Sequence, residues 1–161
     1  MGKKKKKEEP VPGIVSIAEN RKARHNYAIQ DVIECGLELK GTEVKALRGR
    51  EMSFADAYAL VKGGEVFLLG LHITPFRHGT HENHEPDRTR RLLLKKKEID
   101  KLIRLTQQKG VTLVPLKLYF KKGWAKVAIG IGKGKTHGDK RDTIRKRESD
   151  RDMERALKHR R

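Results

Sequence analysis

The stretch Asn26-Tyr27-Ala28-Ile29-Gln30-Asp31-Val32-Ile33-Glu34-Cys35-Gly36-Leu37-Glu38-Leu39-Lys40 carries the reading on which the fold depends. From Ile33 the apolar residues fall on every second position, through Cys35, Leu37 and Leu39, with Glu34, Glu38 and Lys40 between them. A period of two turns one face of an extended chain inward and the other toward water. Tyr27 and Ile29 extend the same register, so one long strand is expected from about residue 26 to residue 40. Gly36 inside it suggests a bend or bulge of the kind a barrel corner needs.

Downstream, Gly41-Thr42-Glu43-Val44-Lys45-Ala46-Leu47-Arg48-Gly49 reads as a short helix, with Thr42 as N-cap, Val44 and Leu47 on one face and Gly49 at its end. Residues 57–62 and 65–69 flank Gly63-Gly64, a two-residue hairpin signal, and residues 72–76 make a further short extended piece. Between residues 95 and 109, Ile99, Leu102, Ile103 and Thr106 stand at i, i+3, i+4 and i+7, and Gly110 stops the pattern, so an amphipathic helix is expected. Residues 111–120 and 124–131 read as strands paired across Lys121-Lys122-Gly123. In the second of them Ala125, Val127, Ile129 and Ile131 alternate with Lys126, Ala128, Gly130 and Gly132. Five or six short strands and one substantial helix make a mainly β chain with helices, of α+β class. The expected form is a closed antiparallel barrel of oligonucleotide-binding (OB) type, with a sandwich as the alternative.

Charge divides the chain further. Its 161 residues suit one domain, and 39 Lys+Arg against 21 Asp+Glu give a net charge of +18. Residues 1–13 form a basic arm and 133–161 a basic tail with 12 basic and six acidic residues, while 14–132 holds nearly all the apolar residues. The centre is expected to fold and the two ends are expected to be disordered when free. Opposite charges at helical spacing in the tail, such as Asp142 with Lys146, support a helix only weakly, so it is expected to become helical along a polyanion.

Such a basic excess points to a nucleic acid, because neutralising phosphates releases counterions. Aromatic residues make up only 5%, which favours folded RNA read through shape, phosphate and 2′-OH over a base-stacked single strand. The runs Asn20 to His25, Arg88 to Arg91 and Lys95 to Lys97 are the candidate contact points. A single Cys excludes an intramolecular disulfide and any multi-cysteine zinc site. No stretch approaches the roughly 18 apolar residues of a membrane span. Lys3 to Lys7 is no secretory signal, and Lys6 and Lys7 stand where a myristoylation motif wants Ser or Thr. A soluble, cytoplasmic protein is expected.

Other chemistry is weaker. His78, His81 and His84, with Glu82 and Glu85, could suit a metal, but Gly79 and Pro86 make a solvated loop the preferred reading. His25 and His72 with neighbouring Lys could imitate a metal-independent ribonuclease, yet nothing sets them astride a phosphate. Gly130-Ile131-Gly132-Lys133-Gly134-Lys135 lacks the phosphate-loop spacing and reads as a flexible exit from the barrel. Cys35 is expected in or near the core. No catalytic residue, metal or cofactor is assigned.

Six motifs in order complete the picture: Glu19-Asn20-Arg21-Lys22-Ala23-Arg24-His25-Asn26-Tyr27, Gly41-Thr42-Glu43-Val44-Lys45-Ala46-Leu47-Arg48, Ile73-Thr74-Pro75, Asp87-Arg88-Thr89-Arg90-Arg91-Leu92-Leu93-Leu94, Lys133-Gly134-Lys135 and Asp139-Lys140-Arg141. From about residue 17 onward the chain resembles the small protein B (SmpB) family, whose members bind transfer-messenger RNA (tmRNA) in bacterial trans-translation. The resemblance implies an OB-type barrel, no enzymatic activity, and delivery of tmRNA to stalled ribosomes. It also implies partners: the tRNA-like domain of tmRNA, the ribosomal RNA of the decoding centre and messenger channel, and, through the tmRNA complex, alanyl-tRNA synthetase and elongation factor Tu. By matching position Asn20, Tyr27, Glu34, Leu93 and Lys126 would meet the tRNA-like domain, with Arg21, Lys22 and Arg24 beside them. Lys133, Lys135, His137, Asp139, Lys140 and Arg141 would act at the ribosome. Arg21 and Lys126 would neutralise phosphates, Leu93 would give apolar support, and Glu34 would accept a hydrogen bond from a base or orient a neighbouring Arg. Three positions depart from the family pattern: Lys95 stands for a usual His or Asn, Thr136 for a common second Lys, and Gly138 for a Tyr or His before Asp139. A generic basic ribosomal protein or translation factor, and a ribonuclease, are the alternatives.

Overall fold

The computed structural model describes residues 12–79 and 83–159, so the arm expected over residues 1–13 lies, apart from Pro12 and Gly13, outside the described residues. The elements in order are β1 (Ile14–Glu19), α1 (Arg21–Asn26), β2 (Tyr27–Leu37), α2 (Gly41–Arg48), β3 (Met52–Ser53), β4 (Tyr58–Lys62), β5 (Glu65–Leu69), β6 (His72–Ile73), β7 (Arg90–Leu93), α3 (Lys96–Thr106), β8 (Val111–Lys121), β9 (Trp124–Gly134) and α4 (His137–His159). Seven strands form one sheet in the order β1-β8-β4-β5-β7-β2-β9, and β8 also pairs with β9. The result is a mixed α+β fold in which six strands close a ring and β1 pairs with β8.

The hairpins follow their turn chemistry. Gly63 and Gly64 both have positive φ, 60° and 74°, the mirror-image turn whose twist matches paired strands. Lys122 and Gly123 make the left-handed turn between β8 and β9. α3 keeps Leu102 fully buried, with Ile99 and Leu105 against the same core, as its periodicity requires.

Two bulges organise the interior. In β2 the register with β9 shifts between Ile29 and Asp31, and in β8 it shifts between Pro115 and Lys117. Each extra residue reverses which side chains face inward. Beyond the bulges Ile33, Cys35, Leu37, Leu118 and Phe120 join the main core with Val127, Ile129 and Ile131. Before them Tyr27, Ile29, Val114 and Leu116 meet Ala23 of α1 in a second, smaller core. The expectation that Tyr27 and Ile29 share the register of Ile33 is therefore corrected, and the irregularity sits at Gln30, not Gly36. Gly36 pairs regularly on both sides, with Leu93 and with Lys126; a Cβ there would lie 3.1 Å from the Leu93 Cβ. Its small size serves close approach.

Thr42 does not cap α2. The cap position is Lys40, two residues earlier, and the Lys40 N–H donates to Glu43 Oε2 at 2.8 Å. The extended piece expected over residues 72–76 shortens to β6. The segment from Lys133 is no loose exit: Lys133 and Gly134 continue β9 opposite Ala28 and Tyr27. Beyond it stands α4, a helix where a tail disordered when free is expected. No described residue of α4 is buried, and Ile144 and Met153 are 43% and 58% exposed.

Candidate nucleic-acid interface

The fold sorts the cations. Arg88 and Arg90 grip the carboxylate of Glu43: the Arg88 Nη2 donates to Oε2 at 2.6 Å, and the Arg90 Nε donates to Oε1 at 2.9 Å. Arg90 also donates to the carbonyls of Leu71, Pro86 and Arg88, which satisfies its fork in the interior. Burial opposes ionisation of Glu43, but the Arg88 and Lys40 hydrogen bonds and the Arg90 charge outweigh it and hold its carboxyl below the ordinary value. Arg91 is held by Glu38 and Glu65 at the surface. The run from Arg88 to Arg91, expected to face RNA, is thus committed to acids of this chain, and an alternating strand buries Arg90 between exposed neighbours.

Among the described residues, the candidates outside this cluster are mostly lysines and the residues of α1. Leu93 on β7 and Lys126 on β9 flank Gly36 on β2, and Glu34 is two residues away on the same face. Glu34, Leu93 and Lys126 line one shallow depression with Lys95. Glu34 Oε2 accepts from the Tyr119 hydroxyl, and its carboxylate also receives Lys121 Nζ at 3.2 Å and 3.3 Å. The Tyr119 hydrogen bond is the main reason its carboxyl sits below the ordinary value, and burial together with Glu34 pushes the Tyr119 phenol up. Glu34 therefore orients a Tyr and a Lys, not an Arg. Tyr119 was not singled out by the sequence reading; its place opposite Lys126 appears only once β8 and β9 pair.

Asn20, Arg21, Lys22, Arg24 and Tyr27 gather at α1, and Tyr27 stands seven residues of β2 from Glu34, or about 23 Å along the strand. Asn20 Oδ1 accepts from the Ala23 N–H at 3.2 Å, and its Nδ2 donates to the Pro115 carbonyl at 3.0 Å. It is a helix cap that ties α1 to β8. Tyr27 is half-buried in the second core. Arg21 and Lys22 are exposed, and Arg24 leans toward Glu19 at 3.8 Å. The structure thus brings the candidate residues into two patches, one at each end of β2.

The first patch continues into the tail. The Lys135 N–H donates to the Asn26 carbonyl at 2.8 Å, and its Nζ reaches the Arg24 carbonyl. Thr136 and Asp139 cap each other: the Asp139 N–H donates to Thr136 Oγ1, while the Thr136 N–H and hydroxyl donate to Asp139 Oδ2. These bonds, the hydroxyl first, hold the Asp139 carboxyl below its ordinary value. A Thr three residues before an acid is a readable N-terminal signal, and Thr136 thereby has a role a Lys could not fill. Lys133, His137 and Arg141 are exposed and Lys140 half-exposed.

The other motifs resolve quietly. His84 is buried between Thr42 Oγ1 and the Ile73 carbonyl instead of standing in a solvated loop, and His81 lies outside the described residues. Among the described residues no cluster of His, Cys, Asp or Glu could hold a metal ion, and no helix is long and apolar enough to cross a membrane. His25 lies on α1 and His72 beside Asp87 at β6. Cys35 is in the core, its thiol pushed up to about 12 by burial first.

A small strand ring with two cationic patches and a basic helix leading from one of them defines a protein built to meet a polyanion. The chain belongs to the SmpB protein family, whose model matches residues 17–159. It is 53% identical over 142 residues to the SsrA-binding protein of Halalkalibacterium halodurans, covering 88% of this chain and 92% of that one. The SsrA-binding protein of Enterococcus faecalis is 51% identical over 145 residues, covering 90% and 94%. A chain from a solved structure described as "tmRNA-SmpB: a journey to the center of the bacterial ribosome" superposes with a TM-score of 0.64 at 44% identity, covering 80% of this chain and 94% of that one.

Proposed function

We propose that this chain is a non-enzymatic RNA-binding factor of trans-translation. It grips the tRNA-like domain of tmRNA and brings it to ribosomes stalled without a stop codon, where the nascent peptide is tagged. The observation that carries this is the family match across residues 17–159, which spans the ring and α4 together. The strand ring is a closed barrel of OB type standing in for the missing anticodon arm. Asn20, Arg21, Lys22, Arg24, Tyr27, Glu34, Leu93 and Lys126 form its RNA surface, with Lys126 and Arg21 neutralising phosphates.

Lys133, Lys135, His137, Asp139, Lys140 and Arg141 work at the decoding centre, and the rest of the tail follows the empty messenger channel. With no buried side chain among its described residues, α4 is disordered in the free protein and becomes the helix on the ribosome. Alanyl-tRNA synthetase and elongation factor Tu meet the protein through the tmRNA complex, in the cytoplasm. The test is competition binding at several salt concentrations. The tRNA-like domain of tmRNA is expected to outcompete bulk tRNA at each of them; equal competition would reduce the protein to a generic basic translation factor.

A further inference from the structure

β1 ends the order of the large sheet: β8 pairs with one of its edges, and no other strand among the described residues pairs with the second. An edge strand offers unpaired N–H and C=O groups, which an extended peptide can continue as one more strand. The register of β1 shifts between Ser16 and Ala18, a bulge that limits a regular ladder to Ile14, Val15 and Ser16. Val15, in the middle of that run, is 58% exposed. Beside it lies a hollow of about 260 Å³ between β1 and the C-terminal end of α2. Val15 and the buried Ile17, Leu47 and Phe120 give it an apolar lining, and Arg48 and Arg50 line it too. Neither guanidinium has a hydrogen-bond or ion-pair partner among the described residues.

The backbone singles out Arg50 independently. α2 ends in a Schellman motif: the Glu51 N–H donates to the Ala46 carbonyl at 3.1 Å, and the Arg50 N–H donates to the Leu47 carbonyl at 2.9 Å. The left-handed residue of such a motif is ordinarily Gly. Here it is Arg50, at φ 57°, while Gly49 beside it has an ordinary φ of −78°. A cation at Arg48 complements the helix dipole. Helix termination gives no reason for an arginine at position 50, where a glycine would relieve the strain.

We infer that β1 and this hollow form a docking site for an extended, acidic peptide segment of a partner protein. The centre of the segment continues the sheet along Ile14 to Ser16, one apolar side chain fills the hollow, and carboxylates two positions to either side meet Arg48 and Arg50. Residues two apart share a face of a strand, so the pattern that fits is acid-x-apolar-x-acid. Charge decides the occupant. A second copy of this chain would bring another +18 to the same edge, which opposes pairing. RNA has no peptide groups to extend the ladder, and the one aromatic ring of the lining, Phe120, is buried and offers no platform for a base. The site goes beyond the proposed RNA-binding function and does not depend on it.

The test is an NMR titration of the full-length, isotope-labelled protein with the peptide acetyl-Glu-Thr-Val-Thr-Glu-amide. Saturable amide shifts are expected at Ile14 to Ile17 and at Arg48 to Arg50. Arg50→Gly is expected to weaken binding about tenfold, the loss of one charge-assisted hydrogen bond, and to melt no lower than wild type, which a purely structural arginine would not allow. A control peptide with Ser in place of Val is expected to bind more weakly. Absence of saturable shifts at these amides, equal binding of the Ser peptide, wild-type affinity of Arg50→Gly, or a lower melting temperature for that variant would each overturn the site. A short RNA duplex that shifts the same amides as strongly would also overturn it, by assigning the edge to RNA.

Discussion

The Glu43 carboxylate and the Arg90 guanidinium lie 2.8 Å apart with neither side chain exposed, joining the first turn of α2 to the first residue of β7. Removing either partner strands a charge in the interior. Glu43→Ala or Arg90→Ala is expected to destabilise the protein by about 3–5 kcal/mol in urea unfolding. Arg91→Ala, whose acids are at the surface, is expected to leave the midpoint nearly unchanged.

Acid should destabilise the protein through the Glu43 carboxylate and two others held by hydrogen bonds. Glu43 and Glu34 sit below the ordinary carboxyl value of 4.5 and Asp31 below 3.8, the last through Lys101 first. Below those ordinary values the unfolded chain binds more protons than the folded one, so stability falls as pH falls. Thermal midpoints are expected to be level above about pH 5.5 and to drop steadily as pH moves down through the folded values. Glu43→Gln should flatten part of that drop, and an unchanged profile would remove Glu43 from the account.

Gly132 and Gly134 separate packing from flexibility. A Cβ at Gly132 would lie 2.5 Å from the Ala28 carbonyl oxygen, while one at Gly134 meets nothing within 4 Å. Gly132→Ala is expected to cost about 1–3 kcal/mol by forcing β2 from β9, and Gly134→Ala to be neutral, both read from chemical denaturation.

Asn20 and Arg21 are neighbours with different duties. Asn20→Ala removes the α1 cap and the bond to Pro115, and should lose about 1 kcal/mol or somewhat more of stability. Arg21→Ala should leave the melting temperature alone and lower the salt slope of RNA binding by about one.

Where the tail is cut matters. Deleting residues 136–161 keeps β9 complete and the Lys135–Asn26 bond intact, so RNA binding should persist while peptide tagging on stalled ribosomes is abolished. Deleting 133–161 removes the last rungs against Ala28 and Tyr27 as well, and should loosen α1 and weaken RNA binding. Equal RNA affinity for the two truncations would contradict a structural role for Lys133 to Lys135.

Local patterns made much of this legible. The Gly63-Gly64 hairpin, the apolar stripe of α3, the pairing of 111–120 with 124–131 and the burial of Cys35 all depend on neighbours a few residues apart. α1 and β7 escaped notice because they are short and charged: Arg21 to Asn26 is a helix with only Ala23 buried, and Arg90 to Leu93 a strand whose first inward residue is an arginine. The bulge at Leu116 left no mark, since apolar residues run up to it and resume at Leu118, whereas at the other bulge the polar pair Gln30-Asp31 interrupts the alternation.

Composition and periodicity by themselves therefore determined a basic, mainly β chain with a polar appendage, because charge and alternation are properties of the string. Which cations are free was decided only in three dimensions. Arg88 and Arg90 meet Glu43 across more than forty residues of chain, and Leu93, Gly36, Lys126 and Tyr119 come together from four strands. Ring closure sets those neighbours, and no local energy term encodes it.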